Sequence, residues 1–102
     1  MRVTVAERIV AESTRALRLE EKGCPPVYYL PRNDADMPLL VRTKHYTYCP
    51  YKGDCTYYSI LIGGTKSEYA VWTYERPYEA VTSIKECLAF YSSRVDAIEV
   101  IS

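Results

Sequence analysis

Residues 47–58, TYCPYKGDCTYY, gather two thiols, a lysine, an aspartate and four tyrosines around one proline and one glycine. Such side chains suit a metal site, a nucleophile or an anion-binding lysine, and spacing helps to separate the three. A structural zinc site takes cysteine pairs two to four residues apart. Five residues lie between Cys49 and Cys55, Cys24 and Cys87 stand alone, and His45 is the chain's one histidine. No metal and no other cofactor are therefore expected. A thiol attacks as the thiolate, which a nearby cation favours. Lys52 follows Cys49 across a turn holding Pro50 and Gly53, which can bring its ammonium towards the sulfur. His45 shares a strand face with Cys49, but about 13 Å of extended backbone separates them, too far for a dyad. Cys49 also reads as a small buried hydrophobe at a strand end. Lys52 either faces water or points inward, where it would hold an anion or a carboxylate as a point charge. Asp54 and Asp96 are candidate partners, and Arg94 is a second cation. Cys49 and Lys52 are the catalytic candidates, with the plainer reading of each still open.

The rest of the chain bounds what such a site could serve. Its 102 residues suffice for one domain, 1–102, and not for two. Thirteen basic and thirteen acidic residues cancel, which argues against a nucleic-acid partner, because phosphate neutralisation needs a basic excess. No apolar run approaches the ~20 residues of a membrane span. MRVTVAERIVAES carries Glu7, Arg8 and Glu12 where a signal peptide needs an apolar centre. The expectation is a cytoplasmic protein with reduced thiols and with neither membrane nor nucleic acid as partner. Eleven tyrosines against one Trp and one Phe suit strands and a pocket lined with hydroxyls.

The elements that must position these residues are mostly strands. Val3 and Val5, a turn near Ala6-Glu7, then Ile9 and Ala11 read as a hairpin. In STRALRLEEKG, Ser13 as cap and Gly23 as stop favour a helix, although Leu17 and Leu19 alternate as in a strand. Val27 to Leu30 is a strand fenced by prolines, and RNDADMP is a turn-rich loop. TKHYTYC and TYYSILIG flank PYKGDC as strands, Gly63-Gly64 is a tight turn, and EYAVWTY is a strand. There Ala70, Trp72 and Tyr74 should share one face, the pocket side, and Val71 and Thr73 the other. After Pro77, the spacing of Ala80, Val81, Ile84 and Leu88 predicts one short helix near residues 78–88. LAFY returns to strand, SSR turns, and VDAIEVI closes the chain with Val95, Ala97 and Val100-Ile101 as core candidates.

Taken in order, PPVYYLP (25–31), CPYKG (49–53), Tyr57-Tyr58-Ser59, Ala70-x-Trp72-x-Tyr74 and Phe90-Tyr91 with Arg94-Val95-Asp96 resemble domain of unknown function family 427. The resemblance runs from about Val3 to Ala97, with Asp36 at the family's acidic loop position and Thr47 ahead of the CPYKG block. It implies a mainly β single domain of twisted antiparallel sheets, similar to the β-tent (Mss4-like) fold, meeting at an angle over a cleft. On that resemblance ALRLEE becomes a strand. Other β-tent families often bind zinc through Cys-x-x-Cys knuckles, which this family and this sequence lack. Only Cys49 of the four cysteines matches the family pattern, and Tyr58 stands where the family often has Trp.

The family sometimes carries a nucleotidyltransferase label, but the motifs for it are missing here. No Gly-Ser precedes paired carboxylates for magnesium, and Gly63-Gly64 is too short to cradle phosphate and opens no helix. Three functions stay open: a cleft binding a small polar or anionic ligand, a small-molecule enzyme using Cys49 or Lys52, and a non-catalytic protein-interaction module. The first is preferred, since clefts with apolar walls and a few polar groups are the usual ligand sites. Its expected lining is Lys52, Tyr57, Tyr58, Trp72, Tyr91, Arg94, Asp96 and Asp36. Nothing in the sequence sets the oligomeric state.

Overall fold

The structure is a computed structural model that describes residues 1–20 and 23–100. The hairpin read from Val3, Val5 and Ile9 is present as β1 (Arg2–Val5) and β2 (Arg8–Glu12). Val5 pairs with Arg8, leaving Ala6 and Glu7 as a two-residue turn with φ of 50° and 65°. Two positive φ values are the type I′ geometry that matches strand twist. A second short hairpin joins β3 (Leu17–Leu19) to β4 (Val27–Tyr29). The helix that local signals favour at STRALRLEEKG is therefore overturned in its described part. Ser13 caps no helix: its hydroxyl accepts the Arg15 N–H at 3.0 Å and donates to the Asp34 carboxylate at 2.6 Å.

The largest sheet is a meander of β5 (Leu40–Cys49), β6 (Gly53–Ile62), β7 (Thr65–Thr73) and β8 (Leu88–Phe90). The last strand, β9 (Ala97–Glu99), returns to pair with β1, which gives a third antiparallel sheet in the order β2-β1-β9. The fold is thus mainly β. The predicted short helix is a 3-10 helix, Glu79–Ile84, interrupted at Val81. It ends before Leu88, which already belongs to β8. Val81 and Ile84 both join the second cluster, while Leu88 lies in the first. Among the terminal core candidates, Val95 packs on the core, Ala97 is half-buried, and Val100 is 81% exposed. Ile101 lies outside the described residues.

Neighbouring side chains on a strand point to opposite faces, so the meander divides its apolar residues between two clusters. One face carries Tyr58, Ile60, Val71, Leu88 and Phe90 against Val3, Val10 and Leu30. The other carries Cys55, Tyr74, Cys87 and Ala89 against Tyr29 and Ile84, with Tyr57, Trp72 and Val27 packed alongside. Consecutive residues Tyr29 and Leu30 thus serve different clusters, and Leu30 exchanges two backbone hydrogen bonds with Leu88, each 2.8 Å. The Cα radius of gyration, 13.0 Å, is that of one domain of about 100 residues. Among the described residues, no helix is long and apolar enough to cross a membrane.

Candidate functional site

The CPYKG block is a turn whose direction is fixed from outside as well as within. Pro50 pre-sets φ at the second position of a β-turn, and the Lys52 N–H donates to the Cys49 carbonyl at 3.2 Å. Gly53 has φ of 108°, and a Cβ there would meet the Arg76 carbonyl oxygen at 3.3 Å. The next segment locks on, since the Tyr78 N–H donates to the Lys52 carbonyl at 2.9 Å. The Lys52 residue is left only 7% exposed. Burial pulls its ammonium pKa down, and the nearby Cys55 opposes this.

Cys55 leads from that turn into a nest of hydroxyls. The residue is buried, and burial pushes its thiol pKa up. Hydrogen bonds from Tyr57, Tyr74 and Thr47 and from the Thr73 backbone pull the other way. Tyr57 and Thr47 also share a hydrogen bond of 3.0 Å between their hydroxyls. Burial likewise raises the Tyr57 and Tyr74 phenols well above the ordinary tyrosine range. Tyr57 therefore joins the enclosed Lys52–Cys55 end to a more open space on the same face.

That open space is a polar cup of about 330 Å³ lined by His45, Tyr57, Tyr69, Tyr91, Ser93 and Arg94. Two irregularities build it, one on each neighbour of β6. On β5 the register slips between Arg42, opposite Tyr58, and Tyr46, opposite Thr56. Three residues, Thr43–His45, thus face the single Tyr57. The Thr43 hydroxyl donates to the Tyr57 carbonyl at 2.8 Å and accepts the His45 N–H at 3.2 Å. On β7 the slip lies between Val71, opposite Tyr58, and Ser67, opposite Ile60, so three residues face Ser59. Tyr69 takes φ of 52° there, and its N–H donates to the Ser59 hydroxyl at 3.2 Å. A bulky residue at positive φ is a steric outlier. Such outliers and β-bulges recur beside functional sites.

The result is a cluster of mutually tilted rings. His45 lies 4.7 Å from Tyr57 and 4.9 Å from Tyr69, centroid to centroid. Tyr91 closes the wall and packs on Trp72 at 4.4 Å. The 3-10 turn Ser92–Arg94 then brings the Arg94 guanidinium to 5.9 Å from the Tyr91 ring centroid. One Arg94 N–H donates to the Glu68 carbonyl at 2.6 Å, and the Ser67 hydroxyl donates to the Arg94 carbonyl. Among the described residues, no carboxylate belongs to the lining.

Of the expected lining, Tyr57, Tyr91 and Arg94 meet in the cup, and Trp72 stands behind Tyr91 with its indole N–H donating to the Tyr29 hydroxyl at 3.4 Å. Tyr58 does not join them, because it follows Tyr57 on the same strand and so points to the opposite face. There it is buried and accepts hydrogen bonds from Arg32 at 3.1 Å and Arg42 at 3.5 Å, beside the two-pronged Arg42–Glu75 pair at 2.7 Å. The two aspartates are engaged elsewhere. Asp96 accepts the Ala6 N–H at 2.7 Å and so steadies the β1–β2 turn, and Asp36 lies 3.8 Å from Arg8. Ala70 also departs from its expected face: the bulge at Tyr69 turns it, with Val71, into the first cluster, while Trp72 and Tyr74 keep to the second. All four cysteines are free, and among the described residues no three potential metal ligands converge. His45, Tyr69 and Ser93 were absent from the expected lining. The alternation His45-Thr47-Cys49 carried a signal for His45, whereas the slip at Tyr69 leaves no local mark in the sequence.

A mainly antiparallel β protein with a tyrosine-walled polar cup beside an enclosed lysine and thiol is the class that fold and site define. The chain belongs to the family described as Domain of unknown function (DUF427), whose model matches residues 1–101. No curated protein matches it.

Proposed function

We propose that this protein binds a small anionic ligand in the cup formed by His45, Tyr57, Tyr69, Tyr91 and Arg94. The observation that carries the reading is the pair of bulges. Two neighbouring strands each depart from regular pairing at the same stretch of β6, and both departures aim a ring at the space over Tyr57. A lining with an arginine, a histidine, three phenols and, among the described residues, no carboxylate favours negative charge, with arginine as the geometrically specific donor. Lys52 is the second cation of this reading, reached from the cup through Tyr57 and Cys55. The sheets β3–β4 and β5–β8, on either side of the second cluster, correspond to the two sheets of a β-tent, with the cup at one end of the cleft. The free thiols fit a reducing, cytoplasmic setting.

The test is a thermal-shift screen of small carboxylates, phosphates and nucleotides beside neutral and cationic analogues. A ligand present at a hundred times its Kd adds about 2.7 kcal/mol to apparent stability, or roughly 10–20 °C for a domain of this size. Anions should give such shifts in the native protein and lose them in Arg94→Gln, while the unliganded midpoint stays in place because Arg94 is exposed. Equal shifts from neutral or cationic analogues, or anion shifts that survive Arg94→Gln, would overturn the reading.

A further inference from the structure

Directly behind the cup lies a second, larger space of different character. It measures about 460 Å³ and is walled mainly by apolar groups, among them Pro25, Pro26, Val27, Trp72 and Phe90. Tyr91 lines both spaces. The turn that follows it divides between them, with Ser92 on the groove and Ser93 and Arg94 on the cup. A cationic, hydroxyl-lined cup and an apolar groove thus share one aromatic wall, and the tilted Trp72–Tyr91 pair forms part of it. Each volume lies within the range of small-molecule sites, about 300–1,000 Å³. Neither half alone accounts for the other. A fully polar anion would leave the apolar groove in contact with water, and a purely apolar ligand would make no use of Arg94.

We infer that the ligand is an amphipathic carboxylic acid, its carboxylate in the cup beside Arg94 and the Tyr57 hydroxyl, and its apolar chain passing Tyr91 into the groove. The inference rests on the anion-binding reading of the cup and adds the class of ligand. The carboxylate supplies two acceptor oxygens to a guanidinium that has five N–H donors, one of them engaged by Glu68. The chain replaces water against prolines and aromatic rings, where burial of each methylene is favourable.

Calorimetric titration of the native protein with straight-chain acids from butyrate to decanoate, and with the matching alkanols, separates the two ideas. Each added methylene should tighten acid binding about fourfold, the equivalent of ~0.8 kcal/mol per buried CH2, until the groove is full. Octanol should bind at least tenfold more weakly than octanoate. Pro26→Glu and Cys24→Glu place a charge at exposed positions on the groove wall. Each should flatten the chain-length series, weakening decanoate far more than butyrate. Arg94→Gln should weaken octanoate at least tenfold and leave octanol unchanged. Arg94-dependent acid binding that ignores chain length would overturn the amphipathic ligand and leave the anion cup standing. Binding of no acid at any length would overturn the inference and leave the anion cup to be decided by the phosphates and nucleotides of the thermal-shift screen. Alkanols that match the acids, with Arg94→Gln silent, would also overturn the inference.

Discussion

Cys24, Cys49, Cys55 and Cys87 carry one functional group in four surroundings, and the surroundings decide what each can do. Cys24 is exposed, Cys49 half-buried, and Cys55 and Cys87 buried. Burial raises the thiol pKa at Cys55 and Cys87, which lowers the thiolate fraction as well as access. In the native protein, iodoacetamide should therefore modify Cys24 first, Cys49 more slowly, and Cys55 and Cys87 only under denaturant, as read by peptide mass spectrometry. Modification of Cys55 ahead of Cys24 would mean that the hydroxyl nest activates its thiol. The sequence drew attention to Cys49 and Lys52 because they sit in a compact motif. It could not show that Cys55, six residues beyond Cys49, would be the thiol held by Tyr57, Tyr74 and Thr47. Strand alternation puts Cys49 and Cys55 on one face, but the depth of each is set by what packs over it: Tyr29, Ile84 and the Glu79–Ile84 turn are distant in sequence.

At the level of elements, the two-residue turn of the first hairpin is the clearest case of a geometry filled by unfavourable residues. Type I′ turns prefer Asn-Gly because both positions need positive φ, yet Ala6 and Glu7 occupy it. A residue with a Cβ gives up about 1–2 kcal/mol in the left-handed region, and the Asp96 carboxylate offsets part of that cost by accepting the Ala6 N–H. Replacing the pair by Asn-Gly (A6N together with E7G) keeps that N–H and should raise stability by about 1 kcal/mol. The urea midpoint should rise with an unchanged slope, and a fall would show that the Glu7 side chain does more than fill a turn. Elements of this kind were legible in the sequence. Period-two alternation located the first hairpin, and proline and glycine located the turns around β4 to β7. The slips opposite Tyr57 and Ser59 were not legible, because a bulge changes the partner of a residue and not its local pattern. These slips place His45 and Tyr69, so the cup was half visible: Tyr57, Tyr91 and Arg94 could be found, and the rings between them could not. Tyr58 stands in the expected lining because of its match to a family position often held by Trp, and strand alternation sends it instead to the far face.

For the molecule as a whole, the meander stands between two clusters on its opposite faces, and the end of β4 reaches both. Tyr29 lies in the second cluster and Leu30 in the first, both 2% exposed. The paired backbone hydrogen bonds between Leu30 and Leu88 tie that strand end to the sheet edge, so one short segment closes against both faces. Were the clusters independent, damage to one would leave the other intact. Ile60→Ala removes side-chain volume from the first cluster, at an expected cost of about 2–5 kcal/mol. Trp72 packs on the second cluster and is the chain's one tryptophan, so its fluorescence reports on the face of the meander opposite Ile60. In a single cooperative unit, Ile60→Ala should move the Trp72 fluorescence transition and the far-ultraviolet circular dichroism transition to lower urea by the same amount, and the two curves should still coincide. A fluorescence transition that stays in place while the dichroism transition shifts would instead divide the protein into two subunits of stability. The cup, built over the second cluster but closed by the turn after β8, would then lose one wall before the other.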